Sequence, residues 1–277
     1  MKLIEPKVKL LSELNINTKS HIARCARVCY GKEYKEPNQE ADEKMVDGLI
    51  KRGHLSMLRH ASTYISDLQY ASRYLQHHIN HSPYWNYNID IGYASTNFQE
   101  YMQQEIENES VIGVSNSKFL EECAKNPKLF ELYRMTFCIT TQISTSRELN
   151  RKSPNAIAER STRYCSSKDG LEICKPWWYD EDTLARDMYK ANMKYLETAY
   201  KYLLGAGMKP EDARGILPLD TATKVIYTYS IKEWQHILDL RLYDKTGKAH
   251  PNCHIVMQMV KDQINDFAKE HSIDYQV

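Results

Sequence analysis

The sequence predicts a mixed α/β or α+β fold, in which a mixed sheet carries flanking helices, rather than a doubly wound one. Segments with the two-residue alternation of strands interleave with segments of helical periodicity, but without a regular β–α–β interval. No internal repeat or low-complexity linker interrupts the 277 residues. We therefore expect a single domain over residues 1–277, with an insertion-like segment at about residues 70–130.

Two helices are predicted near the start of the chain. Residues 18–30 place apolar side chains on one face, and Thr18 or Ser20 can cap that helix. Residues 38–52 form the second helix, which Gly53 should end.

Strand signals dominate the next part. The segment ASTYISDL (61–68) has the composition of a strand, and PYWNYNIDIGYAST (83–96) indicates a hairpin. A short helix capped by Asn97 should follow.

The second half combines one strand with two long helices. Residues 136–144 alternate in the manner of a half-buried strand. Amphipathic helices are predicted over 182–204, ending near Gly205, and over 252–270.

Charge and cysteine content exclude several classes. With 37 basic and 36 acidic residues the net charge is +1, so no global field favours a nucleic-acid polymer or an anionic membrane. No secretory signal is visible, and no apolar run approaches the roughly 20 residues of a membrane-spanning helix. The seven scattered cysteines form no CxxC pair, as expected of a reduced, cytoplasmic protein.

The stretch SRELNRKSPNAIAERSTRYC (146–165) is the strongest local signal. Arg147, Arg151, Arg160 and Arg163 recur beside serine and threonine hydroxyls, and arginine forks bind phosphate oxygens in pairs, so a mononucleotide phosphate would fit. The alternative is a solvated surface helix with Glu148–Arg151 and Glu159–Arg163 pairs. Taken alone, the stretch favours the surface helix.

Motifs for other chemistries are absent. The chain has no GxGxxG, GxxxxGK[ST], HExxH or GxSxG. Two histidine groups, QHHINH (76–81) and AHPNCH (249–254), lack a second pair at zinc-site spacing, so no metal site is predicted.

Five patches in order resemble the flavin-dependent thymidylate synthases over roughly residues 20–270. They are ARVCY (26–30), ADEKMVDGLIKRGHLSMLRHASTYIS (41–66), AERSTRYCSS (158–167), ARGILPLDTATK (213–224) and EWQHILDLR (233–241). The resemblance implies an α/β domain, a homotetramer with active sites shared between subunits, and the cofactors FAD, NADPH and 5,10-methylenetetrahydrofolate. It also implies conversion of dUMP to dTMP by a flavin-dependent C5 methyltransferase without a cysteine nucleophile.

The resemblance also assigns roles to residues of this chain. Arg241 is expected to face and polarise the pyrimidine, and Arg214 to grip the phosphate from a neighbouring subunit. Arg241 and Arg151 are the catalytic candidates. The substrate-binding candidates are Arg147, Glu148, Glu159, Ser161, Arg163, Arg214 and Arg241. The cofactor-binding candidates are His54, Ser56, Arg59, Arg151, Lys152, Ser153, Ser230, Lys232 and His236.

The family's Arg-His-Arg signature is replaced here by Arg151-Lys152-Ser153, Glu148 stands in place of a glutamine, and Arg59 in place of a glutamate. Three interpretations stay open: an exchange of charges within one pocket, a different pyrimidine nucleotide such as dCMP, UMP or a modified base, or a homologue that binds ligands without catalysis.

Overall fold

The computed structural model describes residues 1–32, 36–163 and 170–277 of the chain. Its strands are β1 Lys2–Ile4, β2 Lys7–Leu10, β3 Ser62–Ser66, β4 Asn86–Asn88, β5 Tyr93–Asn97, β6 Ile112–Val114, β7 Arg134–Gln142, β8 Ile157–Glu159, β9 Glu172–Cys174 and β10 Ala222–Ser230. Its α-helices are α1 Thr18–Val28, α2 Gln39–Lys51, α3 Arg73–His81, α4 Phe98–Gln103, α5 Asn116–Lys125, α6 Ile143–Leu149, α7 Thr183–Gly205, α8 Pro210–Ala213, α9 Ile231–Arg241 and α10 Pro251–Glu270.

The central sheet is antiparallel and has the order β2-β7-β10-β8. Its two long strands, β7 and β10, pair over nine residues, from Ala222 opposite Gln142 to Ser230 opposite Arg134. Phe137, Ile139 and Val225 are completely buried on this sheet, so β7 is a central strand rather than the half-buried one that its alternation predicts. Both faces of the sheet are covered, because α9 and α10 pack on one side and α1 on the other.

A second antiparallel sheet, with the order β4-β5-β3-β6, lies within the first half of the chain. The predicted hairpin is β4 and β5, and Gly92 in its turn has φ +80°, a conformation that glycine adopts without strain. Most of this sheet comes from the segment that the sequence marks as insertion-like, but β3 precedes that segment. The insertion itself stays a prediction.

The predicted helices are confirmed, with corrections at their caps and ends. Asn17, rather than Thr18 or Ser20, caps α1 through its side-chain oxygen. The residue 136–144 strand ends at Gln142, because Ile143 begins α6. The helices at 38–52, 182–204 and 252–270 become α2, α7 and α10 within two residues at each end.

Within the described residues, no helix combines the length and the apolar character needed to cross a membrane.

Candidate functional site

A cleft of about 670 Å³ lies where α6, β8 and the turn after α8 meet. Its polar lining includes Ser146, Arg147, Glu159, Arg160, Ser161, Thr162, Arg214 and Thr223. Three arginines therefore line the cleft with one carboxylate and several hydroxyl groups, and Arg160 Nη1 also lies 3.5 Å from Glu172 Oε2. Apolar side chains of Ile143 and Leu217–Leu219 form the rest of the wall. A surplus of positive charge beside an apolar wall suits a ligand with an anionic end and a flat, less polar body.

Glu159 is held in a fixed orientation at the end of β8. Its Oε1 accepts a hydrogen bond of 2.7 Å from the Ser146 hydroxyl, and its Oε2 accepts one of 3.2 Å from the Asn150 amide. Asn150 is in turn held by the Tyr227 hydroxyl at 2.7 Å. Because both carboxylate oxygens are engaged with α6, the free lone pairs of Glu159 have a defined direction into the cleft.

The loop after β8 is anchored by the backbone. The Ser161 N–H donates to the Cys29 carbonyl at 3.0 Å, and the Arg160 N–H donates to the Lys224 carbonyl at 2.8 Å. The hydroxyl of Ser161 thus projects from a loop fixed on two sides.

Arg214 lines this cleft together with residues of its own chain. Its Nη1 donates to the Thr162 hydroxyl at 3.2 Å and its Nε to the Glu211 carbonyl at 3.1 Å. Arg163 stands at the rim, where its guanidinium donates twice to the Glu211 carboxylate, at 3.0 and 3.2 Å. The structure therefore needs no second subunit to bring Arg214 beside Ser161. A contribution from a neighbouring subunit stays a prediction.

The surface-helix alternative for residues 146–165 is wrong. The stretch forms the end of α6, a loop and β8, and residues 164–169 lie outside the described residues. Glu159 bonds to Ser146 and Asn150 instead of Arg163, and Glu148 bonds to Arg241 instead of Arg151. The carboxylates of Glu159 and Glu148 therefore hold other side chains in place and do not form ion pairs along an exposed helix face.

The predicted cofactor positions lie on three segments that touch one another. These are the 3-10 helix Leu55–His60, the loop 150–156 and the start of α9. Arg59 Nη1 donates to the Asn155 carbonyl at 3.1 Å, and Lys152 Nζ lies 3.2 Å from Glu233 Oε1. The side chains of His54, Ser56, Arg151, Ser153, Lys232 and His236 are exposed around these contacts. Tertiary contact thus gathers positions that are up to 182 residues apart.

Lys152 is part of a charge cluster centred on Glu233. The Glu233 carboxylate also accepts from Arg134 Nη1 at 3.5 Å and from the Ser230 N–H at 2.9 Å. Lys152 Nζ lies 5.8 Å from the centre of the Tyr229 ring. The lysine therefore has a structural partner, and sequence reasoning had singled out neither Arg134 nor Glu233. Arg134 lies outside the five patches, and Glu233 begins the patch 233–241 without an assigned role, so only the tertiary contact identifies them.

Arg59 and Glu148 do not compensate each other. Arg59 donates to the Gln99 side chain at 2.8 Å and lies 5.0 Å from the centre of the Tyr84 ring, whereas Glu148 lies 3.2 Å from Arg241 Nη1. The two charges therefore do not cancel within one pocket, because each side chain has its own separate contacts.

Ser230 is completely buried, and its hydroxyl serves the helix cap. It accepts from the Glu233 N–H at 3.2 Å and donates to Glu233 Oε2 at 3.1 Å, which forms a capping box at the start of α9. A role of Ser230 in cofactor binding stays a prediction.

The small cavity between Arg59, Arg134 and Tyr229 measures about 10 Å³, enough for one water molecule at most. A flavin ring does not fit inside it. Two exposed cations, Arg151 and Lys232, and the half-buried Arg59 lie on the same three segments, and cations of this kind suit the diphosphate of a dinucleotide.

Arg160, Thr162 and Thr223 line the cleft but had no individual role in the predicted site. Arg160 and Thr162 belong to the arginine-rich stretch, whose composition did indicate a phosphate site. Thr223 lies on a buried strand, where sequence alone gives no such signal.

Five of the thiols that the structure describes have surroundings unsuited to nucleophilic attack. Burial raises the pKa of the Cys123, Cys174 and Cys253 thiols to about 12, so they stay protonated at neutral pH. Burial also raises the pKa of Cys25 and Cys138. In the part of the chain that the structure describes, no cysteine lines the cleft.

Both histidine groups have structural partners. His78 bonds to Glu100, and His254 Nε2 lies 2.9 Å from Asp244 Oδ1. Across residues 1–32, 36–163 and 170–277, no group of three or more His, Cys, Asp or Glu side chains could hold a metal ion.

Comparison with known proteins gives a family match. The family model described as "Thymidylate synthase complementing protein" matches residues 87–268, which is more than half of the chain.

Three relatives named flavin-dependent thymidylate synthase are similar over shorter stretches. The Halobacterium salinarum protein is 38% identical over 64 residues, covering 22% of this chain and 26% of the relative. The Synechocystis protein is 26% identical over 149 residues, covering 48% and 69%. The Geobacter sulfurreducens protein is 28% identical over 103 residues, covering 37% and 44%. The match thus spans about a quarter of the first relative's length and less than half of the third's.

Two solved structures of a UMP/dUMP methylase, PolB from Streptomyces cacaoi, align with nearly the whole chain. The form bound with 5-Br dUMP is 18% identical with a TM-score of 0.46, and covers 97% of this chain and 93% of that one. The form bound with 5-Br UMP is 15% identical with a TM-score of 0.47, and covers 99% and 94%.

Proposed function

Because the chain belongs to the thymidylate synthase complementing protein family, we propose that it is a flavin-dependent methyltransferase that converts dUMP to dTMP. The proposed cofactors are FAD, NADPH and 5,10-methylenetetrahydrofolate. The observation that carries the proposal is the cleft, which is lined by Arg147, Arg160 and Arg214 together with the ordered carboxylate of Glu159.

The nucleotide phosphate would lie among the cleft arginines and the hydroxyls of Ser161 and Thr162. Guanidinium forks and hydroxyl donors match phosphate oxygens in number and direction. Glu159, held by Ser146 and Asn150, would orient the sugar or the base. The chain's contribution is placement and electrostatics.

The flavin would be held over the joined surface of the 3-10 helix Leu55–His60, the loop 150–156 and α9. When bound, it would supply the hydride that the methyl transfer requires. Arg151, Arg59 and Lys232 would neutralise its diphosphate, and His54 and His236 would border it. The buried thiols support a reaction without a cysteine nucleophile.

The proposal is tested on the purified full chain. It should bind FAD, seen as flavin absorbance, and should transfer labelled carbon from methylenetetrahydrofolate to dUMP in the presence of NADPH. Protein that neither contains flavin nor takes up added FAD would contradict the proposal.

In a second candidate function, a protein of the same fold methylates a different pyrimidine base. Glu148 and Arg241 form an ion pair at 3.2 Å, which adds a carboxylate acceptor where the ring-facing arginine is expected. A carboxylate favours the amino group of cytosine over the O4 carbonyl of uracil. Turnover of a dUMP, UMP and dCMP panel, followed by mass, decides between the two. Turnover of dUMP alone would remove the second candidate.

We further propose a cytoplasmic homotetramer whose subunits share active sites, with no nucleic-acid polymer and no membrane as partner.

A further inference from the structure

The long helix α7 presents a second apolar face that its own domain does not cover. The buried face, with Met193 and Tyr200, packs toward a small core that includes Leu171 and Ile173. On the other side, Leu184, Met188, Tyr195 and Tyr202 are 71%, 62%, 73% and 76% exposed. Single exposed apolar residues are ordinary on a protein surface, but four on one helix face form a patch.

The spacing of this patch is that of a helix–helix seam. Reading along α7, steps of four and three residues alternate without interruption through Leu184, Met188, Ala191, Tyr195, Thr198 and Tyr202. All six are exposed. This is the a/d pattern of a helix pair, extending about 27 Å at 1.5 Å per residue. We call these six residues the α7 stripe.

We propose that the α7 stripe pairs with the same stripe of a second copy of this chain, as an antiparallel helix pair around a two-fold axis. A self-complementary patch is what an isologous dimer requires. The pairing concerns the assembly proposed above, but it is argued from this surface alone and is tested by mass rather than turnover. The two proposals can therefore fail separately.

Side-chain size supports the antiparallel direction. When Tyr202 lies opposite Leu184 of the second copy, Tyr195 lies opposite Ala191 and Thr198 opposite Met188. Each large side chain then faces a smaller one, as close packing along a helix seam demands.

Charge complementarity supports the same register. Asp187 and Lys201 border the stripe on one side, where Asp187 lies 3.7 Å from Arg186 and Lys201 lies 3.4 Å from Glu197 within the same helix. In this register, Asp187 of each copy lies beside Lys201 of the other copy. Two Asp187–Lys201 pairs would therefore flank the seam. Near the two-fold axis Lys194 lies beside Lys194 of the second copy, but its long side chain can keep the ammonium group in water.

The interface would also reach the cleft. The C-terminal end of α7 packs against α8 and against the turn that carries Arg214. Pairing of α7 would therefore fix the wall of the cleft that holds Arg214 and Glu211.

The first test measures the molar mass of the full chain by light scattering during gel filtration at about 10 µM, where a self-association of micromolar Kd is populated. Tyr195→Glu would bury a charge in the seam and should halve the mass. Tyr70→Glu, at a tyrosine 65% exposed elsewhere, is the matched control and should leave the mass unchanged. A monomeric wild-type protein, or an assembly that Tyr195→Glu leaves intact, would overturn the proposal.

The second test addresses direction. Asp187→Lys should weaken self-association about 10-fold by placing like charges together, and the double variant Asp187→Lys/Lys201→Asp should restore it. A parallel pair would not place these residues together, so absence of rescue would overturn the antiparallel arrangement. Circular dichroism of each variant confirms that the fold is retained.

Discussion

At the residue scale, Arg214 is held in the cleft by neutral oxygen acceptors, whereas Arg160 and Arg163 each lie beside a carboxylate, that of Glu172 and that of Glu211. Arg214 is oriented by the Glu211 carbonyl and the Thr162 hydroxyl. Such neutral partners fix the direction of the guanidinium group and leave its charge uncompensated. An uncompensated, pre-oriented charge is what an incoming phosphate binds most strongly.

Replacement of Arg214 by Ala should weaken dUMP binding by about 10- to 100-fold, the worth of one charge-assisted contact. The affinity for deoxyuridine, which lacks the phosphate, should be unchanged. Isothermal titration with both ligands measures the difference, and Lys51→Ala, an exposed cation outside the cleft, is the control. Equal losses for nucleotide and nucleoside would show that Arg214 does not contact the phosphate.

Glu233 is the second residue on which several contacts converge, since it receives Lys152, Arg134 and the N-terminus of α9. Glu233→Gln should lower the free energy of unfolding by about 2 kcal/mol, because two largely buried cations lose their counter-charge. A double-mutant cycle with Lys152→Met, followed by urea denaturation, should give a coupling energy of about 1 kcal/mol. A coupling energy near zero would mean that Lys152 is available to a ligand.

At the scale of elements, α9 joins the sheet to the candidate cofactor surface. Its capping box fixes where β10 ends and the helix begins, and so places Lys232 and His236 on the exposed side. Trp234 and Leu238, on the opposite side, are buried in the main core. Packing of the apolar face of α9 against the core thus fixes the position of its polar face.

Ser230→Ala should lower the free energy of unfolding by about 1–2 kcal/mol through loss of this cap, and Ser230→Thr should retain most of it. Urea denaturation measures both. FAD affinity should be unchanged in the Ala variant if the hydroxyl acts only as a cap. Weaker flavin binding with unaltered stability would instead support the predicted cofactor contact.

At the scale of the whole molecule, a buried polar network ties several elements together. His21 Nε2 lies 3.2 Å from the Thr136 hydroxyl, that hydroxyl lies 2.8 Å from the one of Thr228, and His60 Nδ1 lies 3.0 Å from Thr228. The network joins α1, β7, β10 and the turn before β3. Burial holds the pKa of His60 down at about 3 and lowers that of His21, so both imidazoles are neutral at neutral pH.

This network should make the fold acid-sensitive. Between about pH 6.5 and pH 3 the unfolded chain binds a proton at His60 that the folded chain does not, so stability rises with pH in this window and is lost as pH falls. The slope from one histidine approaches about 1.4 kcal/mol per pH unit. His60→Asn should flatten the measured dependence by that amount, whereas the exposed His77→Asn should not. An unchanged slope in His60→Asn would show that His60 is already protonated in the folded state.

Sequence reasoning anticipated the elements better than the site. Helical and strand periodicities, with local caps such as Asn97 before α4, are set by neighbours along the chain. The position of a strand within its sheet was harder to predict from the sequence. The strand β7 is central because β2 and β10 flank it, and this long-range pairing has no local signal. The same holds for Arg134 and Glu233, which meet from positions 99 residues apart.

The sequence by itself determined the class of fold, the order of the elements that it predicted, and an arginine-rich loop suited to phosphate, because these follow from composition and short-range spacing. The central strand β10 and the helix α9 were not among the predicted elements. Only the tertiary structure decided which charges meet. It placed Glu148 on Arg241, Lys152 on Glu233 and Arg214 beside Thr162. The physical reason is that ion pairs and hydrogen bonds act over a few ångströms in space, whatever the separation along the chain, so the charge pattern of a sequence does not specify its partners.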